Sequence, residues 1–268
     1  MVRAMDRPET PFAAAARPGR LIGHAVELHA SIASTSDRAR ELLDVAGGAG
    51  TAVVAERQTD GRGRRGRTWT SPAGRNLTVS VAYRPRIAPS DAWRLGLAVA
   101  LAARDACRTV AAVDLKWPND LVASDGRKAG GLLIETVIDG ERVSAATIGI
   151  GINVNWAAAE MPPEIAGSAT SLAELAGTPI DRGALLAALL DRLDVELAAT
   201  EAGASPLDRY RAACRTLGSE VVVEVGSRTI DGVAVAIDAA GALVLETSSG
   251  RETVTSGEVI RVRAAVPA

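Results

Sequence analysis

The stretch Gln58–Pro72 reads QTDGRGRRGRTWTSP and puts four arginines, Arg62, Arg64, Arg65 and Arg67, into seven residues, interleaved with Gly61, Gly63 and Gly66. A guanidinium offers a rigid fork of donors matched to carboxylate and phosphate oxygens, and glycine lets the main chain approach a ligand or fold over it. Such a loop suits holding a carboxylate and a triphosphate side by side while their charges repel. The glycines also satisfy GxGxxG, but the next regular pattern is a strand, which rejects a dinucleotide-binding turn. No GxxxxGK followed by Ser or Thr is present. A solvated basic loop and contact with nucleic-acid phosphates stand as alternatives. Trp69 supplies one stacking platform, without interleaved aromatics, in a chain that is 3% aromatic.

Three other segments carry related chemistry. Lys116-Trp117-Pro118-Asn119-Asp120 ends a strand with a cation, an amide and a carboxylate, a set able to hold a nucleotide and its Mg²⁺; a proline-marked turn with an Asn-Asp cap is the plainer reading. Lys128 opens KAGGLLIE, a lysine beside the pair Gly130–Gly131 entering a strand. Thr147–Asn155, TIGIGINVN, has glycines where bulky side chains would block a pocket and ends in Asn153 and Asn155, although those glycines also suit packing or a bulge. Near the front, Ser34, Thr35 and Ser36 place hydroxyls at a helix start, where a cap and an anion site are both reasonable.

These residues need a frame. Strands are predicted through Val26 and Leu28, over Thr51–Glu56, Asn76–Val81, Val113–Lys116, Gly131–Thr136 and Val143–Ile152. Helices are predicted over Asp37–Leu43, from a cap at Ser90 or Asp91 through Trp93, Leu97 and Leu101, and over Arg182–Ala198. The sum is an α+β fold, a mixed sheet with long helices on one side. Residues 1–20 read as a flexible tail, 21–217 as the ligand-binding domain, and 218–268, with short β-rich runs and no helix-length pattern, as a small β-barrel docked on it.

Composition narrows the classes. Hydrophobic residues at 47% and charged residues at 23% describe a globular chain, and a net charge of −2 gives no overall pull toward nucleic acid. Cys107 and Cys214 lack metal-ligand spacing and read as buried structural thiols, and only His24 and His29 are available for a histidine site, so no protein-held metal centre is expected. Two cysteines and no membrane-length apolar run suit the cytoplasm.

The GRGRRGRTWTSP loop, KWPND, GRKAGGLLIE, GIGINVN and Ala169-Thr170-Ser171-Leu172 follow one another as they do in the biotin protein ligase family, and the chain resembles that family over about residues 25 to 263. The resemblance implies a catalytic domain related to class II aminoacyl-tRNA synthetases followed by a small SH3-like β-barrel. It implies ATP-dependent formation of biotinyl-5′-AMP, then transfer of biotin to a lysine of the biotin carboxyl carrier domain of acetyl-CoA or a related acyl-CoA carboxylase. Ser34, Thr35, Ser36 and Gln58 would lie at the biotin head group, with the backbone around Gly61 and Gly131. Arg62, Gly63, Arg64, Arg67 and Trp69 would belong to the ligand-ordered loop, Arg62 nearest the carboxylate and α-phosphate. Lys116, Asn119 and Asn153 would serve nucleotide and Mg²⁺, Lys128 would hold carboxylate and phosphate oxygens, and Asp120 would meet the incoming lysine. Two positions depart from the family pattern: Ser36 stands where asparagine is usual, and Asp60 where alanine is frequent. A lipoate ligase or octanoyltransferase, and a nonenzymatic adenylate-binding regulator, are the rival readings. The residues before the first strand are too few for a helix-turn-helix domain, so sequence-specific DNA binding is not expected, and the resemblance fits either a monomer or a homodimer.

Overall fold

In the segment 77–83, Leu77, Val79, Val81 and Tyr83 alternate with Thr78, Ser80 and Ala82, and a strand sends two such sets to opposite faces. The computed structural model describes residues 12–264. Its front part runs β1 (Val26–His29), α1 (Thr35–Leu42), β2 (Ala52–Ala55), β3 (Leu77–Tyr83), α2 (Trp93–Cys107), β4 (Asp114–Lys116), β5 (Asp120–Val122), β6 (Lys128–Asp139) and β7 (Arg142–Ile152). The short helices α3 (Pro163–Ala166) and α4 (Leu172–Ala176) follow, then the long α5 (Arg182–Glu201) and α6 (Leu207–Ala213).

The strands form one sheet in the order β1-β2-β3-β7-β6-β5-β4. Only β1 and β2 run parallel. The apolar set of β3, with Ile148, Ile150 and Ile152 of β7, is buried in the same apolar cluster as Leu97 and Leu101 of α2 and Leu186, Leu189, Leu190, Leu193 and Leu197 of α5. The leucine spacing in α5 keeps one helical stripe inward. On the opposite face β3 and β7 present small and polar residues, Thr78, Ser80, Gly149 and Gly151 among them, and the site is built there.

Most predicted elements appear within a few residues of their expected ends, and the differences have local causes. Ser34 caps α1, its Oγ accepting from the Asp37 amide at 3.4 Å. By contrast α2 has Ala92 at its N-cap and no side-chain cap, because Ser90 and Asp91 are used in a preceding 3₁₀ turn, Pro89–Asp91. Of the expected tail over 1–20, residues 1–11 lie outside the described residues. From Phe12 onward the chain packs against α5. Phe12 is fully buried, with the Arg182 guanidinium 5.0 Å from its ring centre, and the Ile22 amide donates to Asp194 of α5 at 2.9 Å.

The expected C-terminal barrel is corrected. Strands β8 (Ser219–Val225), β9 (Arg228–Ile237), β10 (Leu243–Thr247), β11 (Gly250–Val254) and β12 (Glu258–Ala264) make an antiparallel sheet in the order β11-β10-β9-β8-β12. It does not close, since β11 pairs only with β10 and β12 only with β8. Only Thr255, Ser256 and Gly257 separate those two edge strands. Gly257 packs between Val223 and Val254, so side chains rather than a hydrogen-bonded ladder fill the seam. The sheet docks on the front part through the turn at Gly241, whose φ of +79° favours glycine and whose carbonyl accepts from Trp117 Nε1 at 3.1 Å.

Among the described residues no helix is long and apolar enough to cross a membrane. Cys107 and Cys214 are free and buried, and burial pushes the Cys107 thiol up to about 12 and the Cys214 thiol above its ordinary value. Since the thiolate is the reactive form, we expect a colorimetric thiol reagent at pH 8 to leave the native chain unlabelled and to titrate both cysteines once urea unfolds it. Labelling of either thiol in the native chain would contradict this packing.

Candidate active site

Register builds the floor. Ser80 of β3 pairs with Gly149 of β7, which pairs with Leu133 of β6, and one step along the strands Thr78 pairs with Gly151 and Gly151 with Gly131. All six lie on the face away from α2 and α5, and all six line a cavity of about 340 Å³. The glycines leave the sheet surface flat, and the Trp69 indole lies directly on it. A Cβ at Gly151 would collide with that ring, and one at Gly131 would come within 3.4 Å of it.

One end of the cavity is neutral and polar. Gln58 Oε1 accepts from the Thr35 amide at 2.8 Å and from Thr35 Oγ1 at 2.9 Å. Ser80 Oγ lies 2.8 Å from Thr35 Oγ1 and 3.0 Å from Ser36 Oγ. These hydroxyls are buried, so a ligand group reaching them exchanges hydrogen bonds with a network already ordered.

The other end is cationic. Arg62 donates both terminal nitrogens to Asp37, at 2.7 and 2.6 Å, and this pairing, with Arg40 as a second donor, holds the Asp37 carboxyl down at about 2. Arg64 donates to Asn119 Oδ1 at 3.2 Å and to the Gly257 carbonyl at 3.4 Å, has no carboxylate partner among the described residues, and is pushed below the usual arginine range by burial. Arg65, at φ +58°, reaches Glu224 at 3.1 Å, and Arg67 pairs with Glu258. Lys128 Nζ sits 2.6 Å from Asp120 and 5.9 Å from the Trp69 ring centre. Anchored cations at one end and uncharged acceptors at the other fit an anion tethered to a neutral polar head.

The cavity brings together most of the residues singled out from sequence: Thr35, Ser36, Gln58, Arg62, Gly63, Arg64, Arg67, Trp69, Asn119, Lys128, Gly131 and Asn153. Four do not line it. Ser34 is spent on the α1 cap, and Gly61 borders a neighbouring pocket, against the Gln58 amide. Lys116 stands opposite Asp120 in the β4–β5 pairing, half-buried, and burial lowers its pKa. Asp120 pairs with Lys128 from outside the lining. The Asn153 amide donates to the Thr170 carbonyl at 3.1 Å and so also ties β7 to the loop before α4. Sequence reasoning passed over Thr78, Ser80 and Trp156, of which the first two were signalled by the hydroxyls alternating through β3. Among the described residues no cluster of three His, Cys, Asp or Glu side chains could hold a metal ion.

Residues 29–153 match the Biotin/lipoate A/B protein ligase family, and residues 216–262 match the Biotin protein ligase C terminal domain. The bifunctional ligase/repressor BirA of Bacillus subtilis is 32% identical over 243 residues, covering 89% of this chain and 74% of that one. The biotin–[acetyl-CoA-carboxylase] ligase of Paracoccus denitrificans is 33% identical, covering 85% of this chain and 98% of its own. Among solved structures, the biotin protein ligase of Aquifex aeolicus in complex with biotin and ATP superposes with a TM-score of 0.73 at 30% identity, over 90% of this chain and 99% of that one. The Leishmania major biotin protein ligase in complex with biotinyl-5-AMP gives 0.60 at 26% identity, over 87% and 99%.

The contact between Trp69 and Gly151 can be tested apart from any activity. Gly151→Ala should destabilise the chain by about 1–3 kcal/mol in urea unfolding, the usual range for overpacking. In a Trp69→Ala background the same substitution should cost less than about 0.5 kcal/mol, since the colliding ring is gone. Equal costs in both backgrounds would show that the ring does not lie over the glycine.

Proposed function

The chain belongs to the biotin protein ligase family, and from that premise we propose how its own side chains divide the reaction. It is an ATP-dependent ligase that binds biotin and ATP and forms biotinyl-5′-AMP. In the first step the biotin carboxylate attacks the α-phosphorus of MgATP. A carboxyl–phosphate bond forms, the bond to the β-phosphate oxygen breaks, and pyrophosphate leaves. The step needs no enzyme nucleophile, only two anions held together and charge offset as it develops at phosphorus.

The observation that carries this division is the polarity of the cavity. The Thr35, Ser36, Ser80 and Gln58 network takes the uncharged ureido head, and the Trp69 face over Gly151 covers the apolar body. Arg62, Arg64 and Lys128 face the carboxylate and phosphates. Trp69 Nε1, buried without a partner, is a further donor toward a ligand. Asn119 and Asn153 lie on the nucleotide side of this division. Magnesium arrives as part of MgATP, and a hard ion that keeps its waters and phosphates would ask little more of the protein than amide oxygens such as those of Asn119 and Asn153.

In the second step a lysine ε-amine of the acceptor attacks the acyl carbon, an amide bond forms, the bond to AMP breaks, and the amine proton leaves. Asp120, 2.6 Å from Lys128, would accept that proton once Lys128 engages the phosphate. A biotin carboxyl carrier domain of an acyl-CoA carboxylase is the acceptor that the relatives' names support. The two reduced, buried thiols agree with a cytoplasmic setting.

The test is mass spectrometry of a purified biotin carboxyl carrier domain after incubation with the chain, MgATP and either biotin or lipoate. We expect a biotin adduct on one lysine that requires ATP, and none with lipoate; a lipoyl adduct would reassign the acid. Lys128→Ala should lower adenylate formation by about 10²–10³-fold, the range for losing one transition-state electrostatic partner. Unchanged adenylate formation would remove the role given to Lys128.

A further inference from the structure

The cavity is lined by Arg62 but not by the carboxylate that grips it. Asp37 stands behind Arg62 in the first turn of α1 and takes both terminal nitrogens of its guanidinium, at 2.7 and 2.6 Å. Asp37 is itself braced, because Arg40 one turn along donates to its Oδ1 at 2.6 Å and reaches Glu135 of β6 at 2.9 Å with its other terminal nitrogen. The main chain at the other end of the arginine is fixed as well. Arg62 bridges to Thr68 across the loop, and the Trp69 amide donates to the Gly61 carbonyl at 2.8 Å. A single surface pair would contribute little. A chain of four alternating charges, spanning sheet, helix and loop and ending on a cavity-lining arginine, is a different object.

We infer that Asp37 is a positioning residue for adenylation, holding the Arg62 guanidinium in place through a relay that runs Glu135–Arg40–Asp37–Arg62. The inference rests on the proposed role of Arg62 at the carboxylate and α-phosphate. A bidentate carboxylate fixes both the plane and the distance of the guanidinium, leaving the Nε–H and the outer N–H bonds free for the ligand. An arginine on a glycine-rich loop would otherwise sample many rotamers, and ordering it at the moment of reaction would cost side-chain entropy. Asp37 sits one residue past the hydroxyl triplet, so the turn that presents Thr35 and Ser36 to the neutral end also sets the arginine at the charged end.

The test is biotin-dependent ATP–pyrophosphate exchange on the full chain, read as kcat and KM separately and combined with a double-mutant cycle. Asp37→Asn should lower kcat by about ten- to a hundredfold, as loss of a group that orients a reacting partner does, with KM for ATP changed less than about twofold. Asp37→Glu should recover most of the loss. In an Arg62→Ala background, Asp37→Asn should have no further effect, because the partner through which it acts is gone. Arg40→Gln, which removes the brace without touching the pair, should cost about threefold and remains informative if Asp37→Asn fails to fold. Full exchange in Asp37→Asn, or a loss that adds to that of Arg62→Ala, would overturn the relay while leaving the role of Arg62 standing. Full exchange in Arg62→Ala would overturn both.

Discussion

Like charges crowded into a small volume set the terms for the rest of the structure. Arg62, Arg64, Arg67 and Lys128 line one cavity of about 340 Å³. Cations gathered in one cavity repel one another, the more so as burial removes the screening of water. The usual remedy, carboxylates inside the cavity, would defeat a site meant for anions. Here the counter-charges stand outside the lining: Asp37 on α1, Asp120 on β5 and Glu258 on β12. Arg64 donates to an amide oxygen and a backbone carbonyl, and burial lowers its pKa. The neutralising groups therefore come from three separate elements, Asp37 and Glu258 serving the loop arginines and Asp120 serving Lys128 of β6.

The sheet makes that assembly possible by keeping its two faces apart in character. Leu77, Val79 and Val81 serve the helix-covered core, while Thr78, Ser80, Gly149 and Gly151 form the cavity floor. A slip of one residue in β7 would turn the isoleucines of IGIGI, Ile148–Ile152, into the cavity and the glycines into the core, so the buried face fixes the register. The register then fixes the site, because Ser80 reaches both Thr35 and Ser36 only from the row it shares with Gly149 and Leu133.

How much of this was legible in the sequence follows from the range of each interaction. Alternation and helical stripes are local, and they yielded β3, β7, α2 and α5 to within a few residues. The three-residue β5 is too short to show a period, and Phe12, one aromatic in a proline- and alanine-rich stretch, gives no pattern that would mark it as core. Motif residues of the cavity were recognisable because they recur in order along the chain. Their partners were not, since Arg62 and Asp37 are 25 residues apart, Arg65 and Glu224 are 159 apart, and Arg67 and Glu258 are 191 apart. Closure of the last sheet was equally out of reach. The same five strands serve an open or a closed sheet, and the choice depends on whether β11 meets β12, which no spacing along the chain records.

That open sheet matters to the loop. Glu224 of β8 and Glu258 of β12 are directly opposite one another in the antiparallel pairing, an arrangement that like charges disfavour. Arg65 binds the first and Arg67 the second, and Arg65 and Arg64 also donate to the carbonyls of Gly226 and Gly257, which lie in turns outside the ladder. Two repulsions, one between arginines in the loop and one between glutamates in the sheet, thus relieve each other. Neither partner is well suited to stand alone: without the sheet the loop has surplus positive charge, and without the loop the β8–β12 pair has surplus negative charge. The docking of the C-terminal sheet and the conformation of the arginine loop are for this reason a single electrostatic arrangement, in which the end of the chain helps set the geometry of a site whose floor is built from its first half.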